Sequence, residues 1–185
     1  MIAKHGDMDK AREAMLEQYE NQHTRGTRGF GLIEATNQGI RIRKATEPVK
    51  ALLDVARSEA PILLFHHRMP TSTDNTLVQA HPIKVSNQEL HSDWYISHNG
   101  VIRNADELKK KHEELGYVYT TQTKGAYHYE NSHWEKFNDS EAFAIELVRF
   151  LEGKTEHGSW TGAAAFIGLK VNKQTQKPSL VVFGR

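Results

Sequence analysis

The sequence contains no cysteine, which excludes disulfide bonds, thiolate metal sites and cysteine nucleophiles among its residues. It also lacks an apolar stretch near the roughly 20 residues that a membrane-spanning helix needs. The segment from Met1 to Asn21 is charged throughout and has no signal-peptide pattern. We therefore expect a cytoplasmic protein that has no membrane partner.

Positive and negative side chains are nearly balanced in number. The net charge is +1, so bulk electrostatics gives no reason to expect a nucleic-acid partner. The basic run Lys109-Lys110-Lys111 is typical of a solvated helix face. Eleven histidines are present, but the spacings of zinc fingers and of the HExxH motif are not. We expect neither a metal site nor a cofactor.

Hydrophobic periodicity and capping residues predict four helices and several strands in one domain spanning 1–185. The predicted helices are Met8 to Asn21, a second beginning after a Thr46 cap with Pro48 in its first turn, Ala105 to Leu115, and Asp139 to Glu152. The predicted strands are Phe30 to Ala35 with Gly39 to Arg43, Ile62 to His67, Trp94 to His98, and Ala163 to Val171 with Ser179 to Phe183. Tyr117 to Phe137 is expected to be a long loop or a loose hairpin. Helices mixed with hairpin-joined strands favour an α+β fold of largely antiparallel sheets.

Two apolar strands each end in polar residues. The first ends in His66-His67-Arg68, the second in His98-Asn99-Gly100, and the loop Gln79-Ala80-His81-Pro82 lies between them. Strand ends that deliver polar groups are a common way to build a binding site.

These motifs resemble class II glutamine amidotransferase domains, which have the N-terminal-nucleophile hydrolase fold. The family's Arg-Gly turn corresponds to Arg25-Gly26 with Gly31, and its His-Thr-Arg segment to the stretch from His66 to Thr71. Its Asn-Ala-His-Pro loop is similar to Gln79–Pro82, and its His-Asn-Gly-x-Ile-x-Asn segment to 98–104. Its acidic helix start resembles 138–141. Five motifs in the family's order indicate the fold strongly, from about Met8 to the end of the chain.

The resemblance implies a four-layer αββα sandwich, abbreviated at both ends, and a pocket for an amino acid. Arg68 would bind the α-carboxylate of glutamine through its planar fork, and Asp139 would face the α-ammonium. The Asn99 side chain and the Gly100 backbone N–H would hold the oxyanion of a tetrahedral intermediate. Thr71, His98 and Arg25 would complete the substrate site.

Some of these residues also have ordinary structural explanations. Arg68 could belong to a half-buried ion pair, and Asp139 could be a helix N-cap. Asn99-Gly100 could be a simple turn.

The sequence departs from the family where the nucleophile belongs, because the family uses an N-terminal cysteine. Three explanations stay open. The domain retained the fold and lost hydrolysis, or it is an active amidotransferase whose cysteine is encoded upstream, or it is a compact viral or mobile-element relative with a repurposed pocket. A viral relative would work in the host cytoplasm. The absence of cysteine favours the first. Expected partners are glutamine or a related small ligand. An alternative hypothesis is a structural or assembly protein. Such a protein would bind a protein partner or a second copy of itself through the aromatic stretch that contains Tyr127, Tyr129 and Trp134.

Overall fold

The computed structural model describes residues 2–5, 7–22, 24, 26–69, 75–124 and 135–184. Its helices are α1 (Met8–Gln22), α2 (Pro48–Ala56), α3 (Ala105–Glu114) and α4 (Asp139–Leu151). Its strands are β1 (Ile2–His5), β2 (Phe30–Thr36), β3 (Gly39–Ala45), β4 (Ile62–His67), β5 (Ile83–Val85), β6 (Ser92–Ile102), β7 (Thr123–Lys124), β8 (Glu135–Lys136), β9 (Gly162–Asn172) and β10 (Pro178–Gly184).

The strands form two four-stranded sheets. The first has the order β1-β4-β2-β3 and the second the order β10-β9-β6-β5. Every neighbouring pair is antiparallel, as the sequence predicts. The short strands β7 and β8, which lie within the segment predicted as a loop or a loose hairpin, pair with each other in an antiparallel manner.

The alternation of side chains along the first sheet separates two hydrophobic cores. Leu32 and Phe65 pack against α1 and α2 with Met15 and Val55. Their neighbours in sequence point to the opposite face. There Ile33, Leu64 and Ala35 meet Leu169 of the second sheet. The two sheets therefore face each other across an apolar layer.

The second sheet is covered by the other two helices. Trp94 and Ile96 of β6 share a core with Leu108 of α3 and with Phe143 and Leu147 of α4. The order of layers is thus helices, sheet, sheet, helices, and the predicted αββα arrangement is confirmed.

Several predicted boundaries are wrong. β1 and β5 were not predicted, because short strands carry too little pattern to be recognised without their partners. β6 does not end at His98 but continues to Ile102, pairing with β9 as far as Gly162. Thr46 does not cap α2, since Glu47 occupies the N-cap position without a side-chain hydrogen bond.

The predicted Arg-Gly turn packs closely against two other segments. A Cβ added at Gly26 would lie 2.7 Å from the backbone carbon of Arg68, and one at Gly31 would lie 1.7 Å from the carbonyl oxygen of His81. Only glycine allows such close backbone approach. The two glycines therefore hold the end of β4 and the His81-Pro82 loop next to each other.

Candidate functional site

A cavity of about 650 Å³ opens where three elements meet. The end of β4, the second half of β6 and the start of α4 supply most of its lining, and the end of α1 supplies Asn21 and Gln22. Its volume lies within the range of about 300–1,000 Å³ that is usual for small-molecule sites.

Arg68 follows β4 directly and is held by backbone hydrogen bonds on both sides. Its N–H donates to the Gly29 carbonyl at 2.8 Å, and its carbonyl accepts from the Arg28 N–H at 3.2 Å. The residue is buried, and burial lowers the pKa of its guanidinium, while the charge of Asp139 opposes that shift. The cavity thus contains a buried cation on which the negative charge of Asp139 in α4 acts.

His98, Asn99 and Gly100 lie inside β6 rather than after it. Asn99 and Gly100 are exposed while His98 is buried. A Cβ at position 100 would lie 1.9 Å from the Ala163 carbonyl oxygen and 2.8 Å from His98 Nε2. The interpretation of Asn99-Gly100 as an ordinary turn is wrong, because glycine here serves the close packing of a continuous strand pair.

The start of α4 is hydrogen-bonded to β6 and to the loop that precedes His81. Asn138 is the N-cap, accepting from the Ser140 N–H at 3.0 Å and donating to the Gln79 carbonyl at 2.8 Å. Asp139 accepts instead from the Ile102 N–H of β6 at 2.8 Å. The interpretation of Asp139 as an N-cap is therefore wrong, and its carboxylate is positioned by β6.

Five of the seven site residues predicted from the sequence line this one cavity: Arg68, His98, Asn99, Gly100 and Asp139. Thr71 and Arg25 lie outside the described residues, as do Tyr127, Tyr129 and Trp134 of the aromatic stretch.

The lining also contains His66 and His81, to which the sequence assigned no role. Both histidines belong to motifs named above, so the sequence contained a signal for each of them. Their burial side by side depends on packing between the end of β4 and the loop that contains His81, which no local pattern predicts.

His66 and His81 lie side by side at the cavity wall, with ring centroids 4.3 Å apart and the ring planes tilted by 56°. Burial, with nearby positive groups that include Arg68, lowers the pKa of His66 to about 3, and burial also lowers that of His81 well below its usual value. Both imidazoles are therefore neutral near pH 7. Within the described part of the chain, His66 Nδ1 and both ring nitrogens of His81 have no hydrogen-bond partner. A buried polar atom without a partner is costly, and such atoms beside a cavity mark where a ligand or water would bind.

Two features are absent from the described residues. No group of three or more histidine, aspartate or glutamate side chains there is arranged to hold a metal ion. No helix there is both long and apolar enough to cross a membrane.

Comparisons with known proteins agree with the motifs. No protein-family model matches the sequence. The chain is 31% identical over 104 residues to the glutamine–fructose-6-phosphate aminotransferase of Halalkalibacterium halodurans, covering 55% of this chain and 17% of that protein. It is 26% identical over 117 residues to the same enzyme of Sulfurisphaera tokodaii, covering 62% of this chain and 19% of the relative. The chain thus spans less than a fifth of the length of these relatives.

Two solved structures share the fold. One, described as the allosteric regulatory enzyme of purine biosynthesis, has a TM-score of 0.62 and 16% identity over 91% of this chain and 34% of its own. The other, glutamine phosphoribosylpyrophosphate amidotransferase from B. subtilis complexed with ADP and GMP, has a TM-score of 0.56 and 14% identity over 92% of this chain and 36% of its own. With the motif order and the four-layer architecture, these comparisons show that the chain is similar to class II glutamine amidotransferase domains and has their N-terminal-nucleophile hydrolase fold.

Proposed function

We propose that the cavity binds free glutamine or a closely related amino acid, and that this domain has lost the cysteine-dependent hydrolysis of its relatives. The observation that carries the first part is the common position of Arg68, Asn99 and Asp139 on one cavity. The second part is supported by the absence of cysteine from all 185 residues, because the family's chemistry requires a thiolate.

The charges of the cavity suit the two ends of an amino acid. Arg68 offers a planar guanidinium that can bind a carboxylate through two parallel hydrogen bonds. Asp139 uses one carboxylate oxygen to accept from the Ile102 N–H, which leaves lone pairs of the carboxylate for an ammonium group. An α-amino acid presents both groups on one carbon.

The amide end of glutamine would face donors on β6. Asn99 is exposed to the cavity and carries a side-chain N–H₂, and Gly100 beside it has no side chain to block an approach to the backbone. The neutral imidazoles of His66 and His81 can each donate one hydrogen bond and accept another, which fits an uncharged amide. A ligand ending in an amide would therefore satisfy groups that have no partner among the described residues.

Titration calorimetry with L-glutamine tests the pocket. Arg68→Gln should abolish the binding heat, whereas Arg41→Gln, which alters an exposed arginine on β3, should leave it unchanged. Equal binding by wild type and Arg68→Gln would overturn the pocket assignment. Circular dichroism of both variants shows whether each retains the fold.

An active amidotransferase with an upstream cysteine is the alternative that one observation favours. β1 begins at Ile2 opposite Phe65, one residue before His66 of the cavity. A nucleophile that precedes this strand would therefore lie close to the residues that line the cavity. Ammonia release from glutamine by the protein isolated from its native source, with its intact mass, decides the matter. A mass equal to Met1–Arg185 with no ammonia supports loss of hydrolysis, whereas ammonia release from a longer, cysteine-containing chain would overturn it.

A further inference from the structure

A buried serine and a buried histidine are hydrogen-bonded at the wall of the cavity. Ser140 Oγ lies 2.9 Å from His98 Nδ1, and both side chains line the cavity. Ser140 is the second residue of α4, where its N–H is held by Asn138, while the ring of His98 packs on Phe143 with centroids 4.5 Å apart. Neither the motifs nor the amino-acid pocket uses this contact.

Counting the protons assigns the direction of this hydrogen bond. A serine hydroxyl has one hydrogen to donate, and a neutral imidazole has one donor and one acceptor nitrogen. In the described part of the chain, His98 Nδ1 is the one hydrogen-bond partner of Ser140 Oγ. If Nδ1 carried the ring proton, the buried hydroxyl hydrogen would have no acceptor. The arrangement that satisfies both groups has Ser140 donating to Nδ1.

The surroundings of the ring support the same tautomer. His98 Nε2 has no partner of standard hydrogen-bond geometry, but it and the Ala163 carbonyl both lie against Gly100. Burial lowers the pKa of His98, while the charge of Asp139 and the Ala163 carbonyl oppose that shift. The imidazole is therefore neutral near pH 7, which is the state that can accept a proton from a nucleophile.

We propose that Ser140 is a nucleophile and His98 its general base, for acyl transfer from a small activated ester or amide bound in the cavity. The serine would thus provide nucleophilic chemistry that does not need a thiol. The proposal shares its cavity with amino-acid binding but does not require glutamine as the ligand, so the two can fail separately.

The reaction balances without a cofactor. Ser140 Oγ forms a bond to the acyl carbon as its proton passes to His98 Nδ1, and the carbonyl oxygen becomes an oxyanion. The intermediate collapses as the bond to the leaving group breaks, and His98 gives its proton to that group. Water, deprotonated by the same imidazole, then attacks the acyl-serine and releases the carboxylic acid with regeneration of Ser140.

Labelling with diisopropyl fluorophosphate tests the nucleophile directly, because Oγ displaces fluoride to give a stable phosphoserine ester. Intact mass should show one adduct on wild type, located by peptide mapping to Ser140. Ser140→Ala should show none. Ser97→Ala, which alters a buried serine one residue before His98, should label as wild type does. Labelling that persists in Ser140→Ala, or no labelling of wild type, would overturn the proposal.

A second variant makes use of the cysteine-free background. Ser140→Cys introduces the chain's single thiol, and alkylation by iodoacetamide followed against pH reports its thiolate. Pairing with His98 should shift the midpoint at least about one unit below that of Ser179→Cys on the exposed part of β10, which is roughly tenfold faster alkylation at pH 7. Adding His98→Gln should remove the shift. Equal midpoints for the two thiols would show that His98 does not act as a base, while glutamine calorimetry on Ser140→Ala reports independently on the pocket.

Discussion

Buried histidines occur in two regions of this protein that have opposite surroundings. In the first, which we call the helix-layer network, His112 is bonded on both sides: Nδ1 lies 2.9 Å from the Tyr119 hydroxyl and Nε2 lies 3.0 Å from Glu146 Oε2. Lys111 donates to the other oxygen of Glu146 at 3.0 Å, as does the Ser159 N–H at 3.2 Å. In the second, the cavity pair of His66 and His81, three ring nitrogens have no partner among the described residues.

The two groups differ in location more than in burial. His112 and Glu146 are completely buried between α3 and α4, away from the lining of the cavity. The cavity pair is nearly as buried, but its rings form part of a wall that faces open volume. Buried polar groups in native proteins are nearly always paired. The network is thus typical of a structural role, whereas the pair suits the ligand-binding role that we propose for the cavity.

Their electrostatics differ in the same way. Burial alone would raise the pKa of Glu146, but hydrogen bonds from His112, Lys111 and Ser159 outweigh it and lower the pKa to about 2. In the cavity pair, burial lowers the pKa of His66 to about 3 and nearby positive groups add to the shift. The network therefore stabilises a charge, whereas the cavity pair excludes one.

The largest expected effect comes from breaking the helix-layer network. His112→Leu removes both hydrogen bonds of the imidazole and leaves the Tyr119 hydroxyl and one Glu146 oxygen without their partner. Removing one member of a buried pair costs about 3–5 kcal/mol, so we expect a loss near the lower end, because Glu146 keeps Lys111 and Ser159. Urea unfolding monitored by tryptophan fluorescence measures it.

The matched comparison is His81→Leu, which removes a nearly equally buried imidazole that bonds to no described residue. If the two substitutions changed the free energy of unfolding equally, the distinction between network and cavity pair would be wrong.

The sequence predicted the frame of the fold well, because its long elements have strong local signals. α4 alternates apolar residues at helical spacing and begins at a capping residue, and β2 with β3 forms the hairpin expected around Asn37-Gln38. Missed elements lack such signals. β5 is only three residues long, and its pairing with β6 depends on residues that lie about a dozen positions away.

The sequence placed β6 correctly but ended it too early. Asn-Gly is a strong turn signal in isolation, yet Asn99 and Gly100 pair with Ala165 and Ala164 of β9. Tertiary pairing here overrides local preference. The same limit applies to the site. Motif order predicted Arg68, Asn99 and Asp139, which line one cavity, but no local pattern shows that the rings of His66 and His81 lie together, or that His98 contacts Ser140.

An intermediate effect is expected from acid. The unfolded chain binds a proton at His66 near its ordinary pKa of 6.5, whereas the folded chain does so only near 3. Between these values the unfolded state holds more protons, so stability falls as the pH is lowered, by at most about 1.4 kcal/mol per unit for one histidine. Glu146 contributes in a lower window, from its ordinary value of 4.5 down to about 2, so pH 6.5 to 5 reports chiefly on buried histidines such as the cavity pair.

His66→Leu should remove part of that dependence. Between pH 6.5 and 5 we expect the variant to lose about 1–2 kcal/mol less than wild type, measured as urea unfolding at several pH values. His157→Leu, which alters an exposed histidine, is the control and should follow the wild-type curve. Parallel curves for wild type and His66→Leu would show that this imidazole is not kept neutral by the fold.

The smallest expected effect on stability is that of His81→Leu. Leucine fills a similar volume, and the ring it replaces has two nitrogens that no described residue satisfies. Replacing an unsatisfied polar group by an apolar one of the same shape is nearly neutral or stabilising, so the change should stay within about 1 kcal/mol of wild type. Glutamine binding, by contrast, should weaken clearly, because the imidazole would bond to the ligand. The affinity measured by calorimetry should fall about tenfold, which corresponds to the loss of roughly one hydrogen bond. Strong destabilisation of His81→Leu would show that His81 has a structural role like that of His112. Wild-type affinity of the variant for glutamine would show that the His81 imidazole does not bind the ligand.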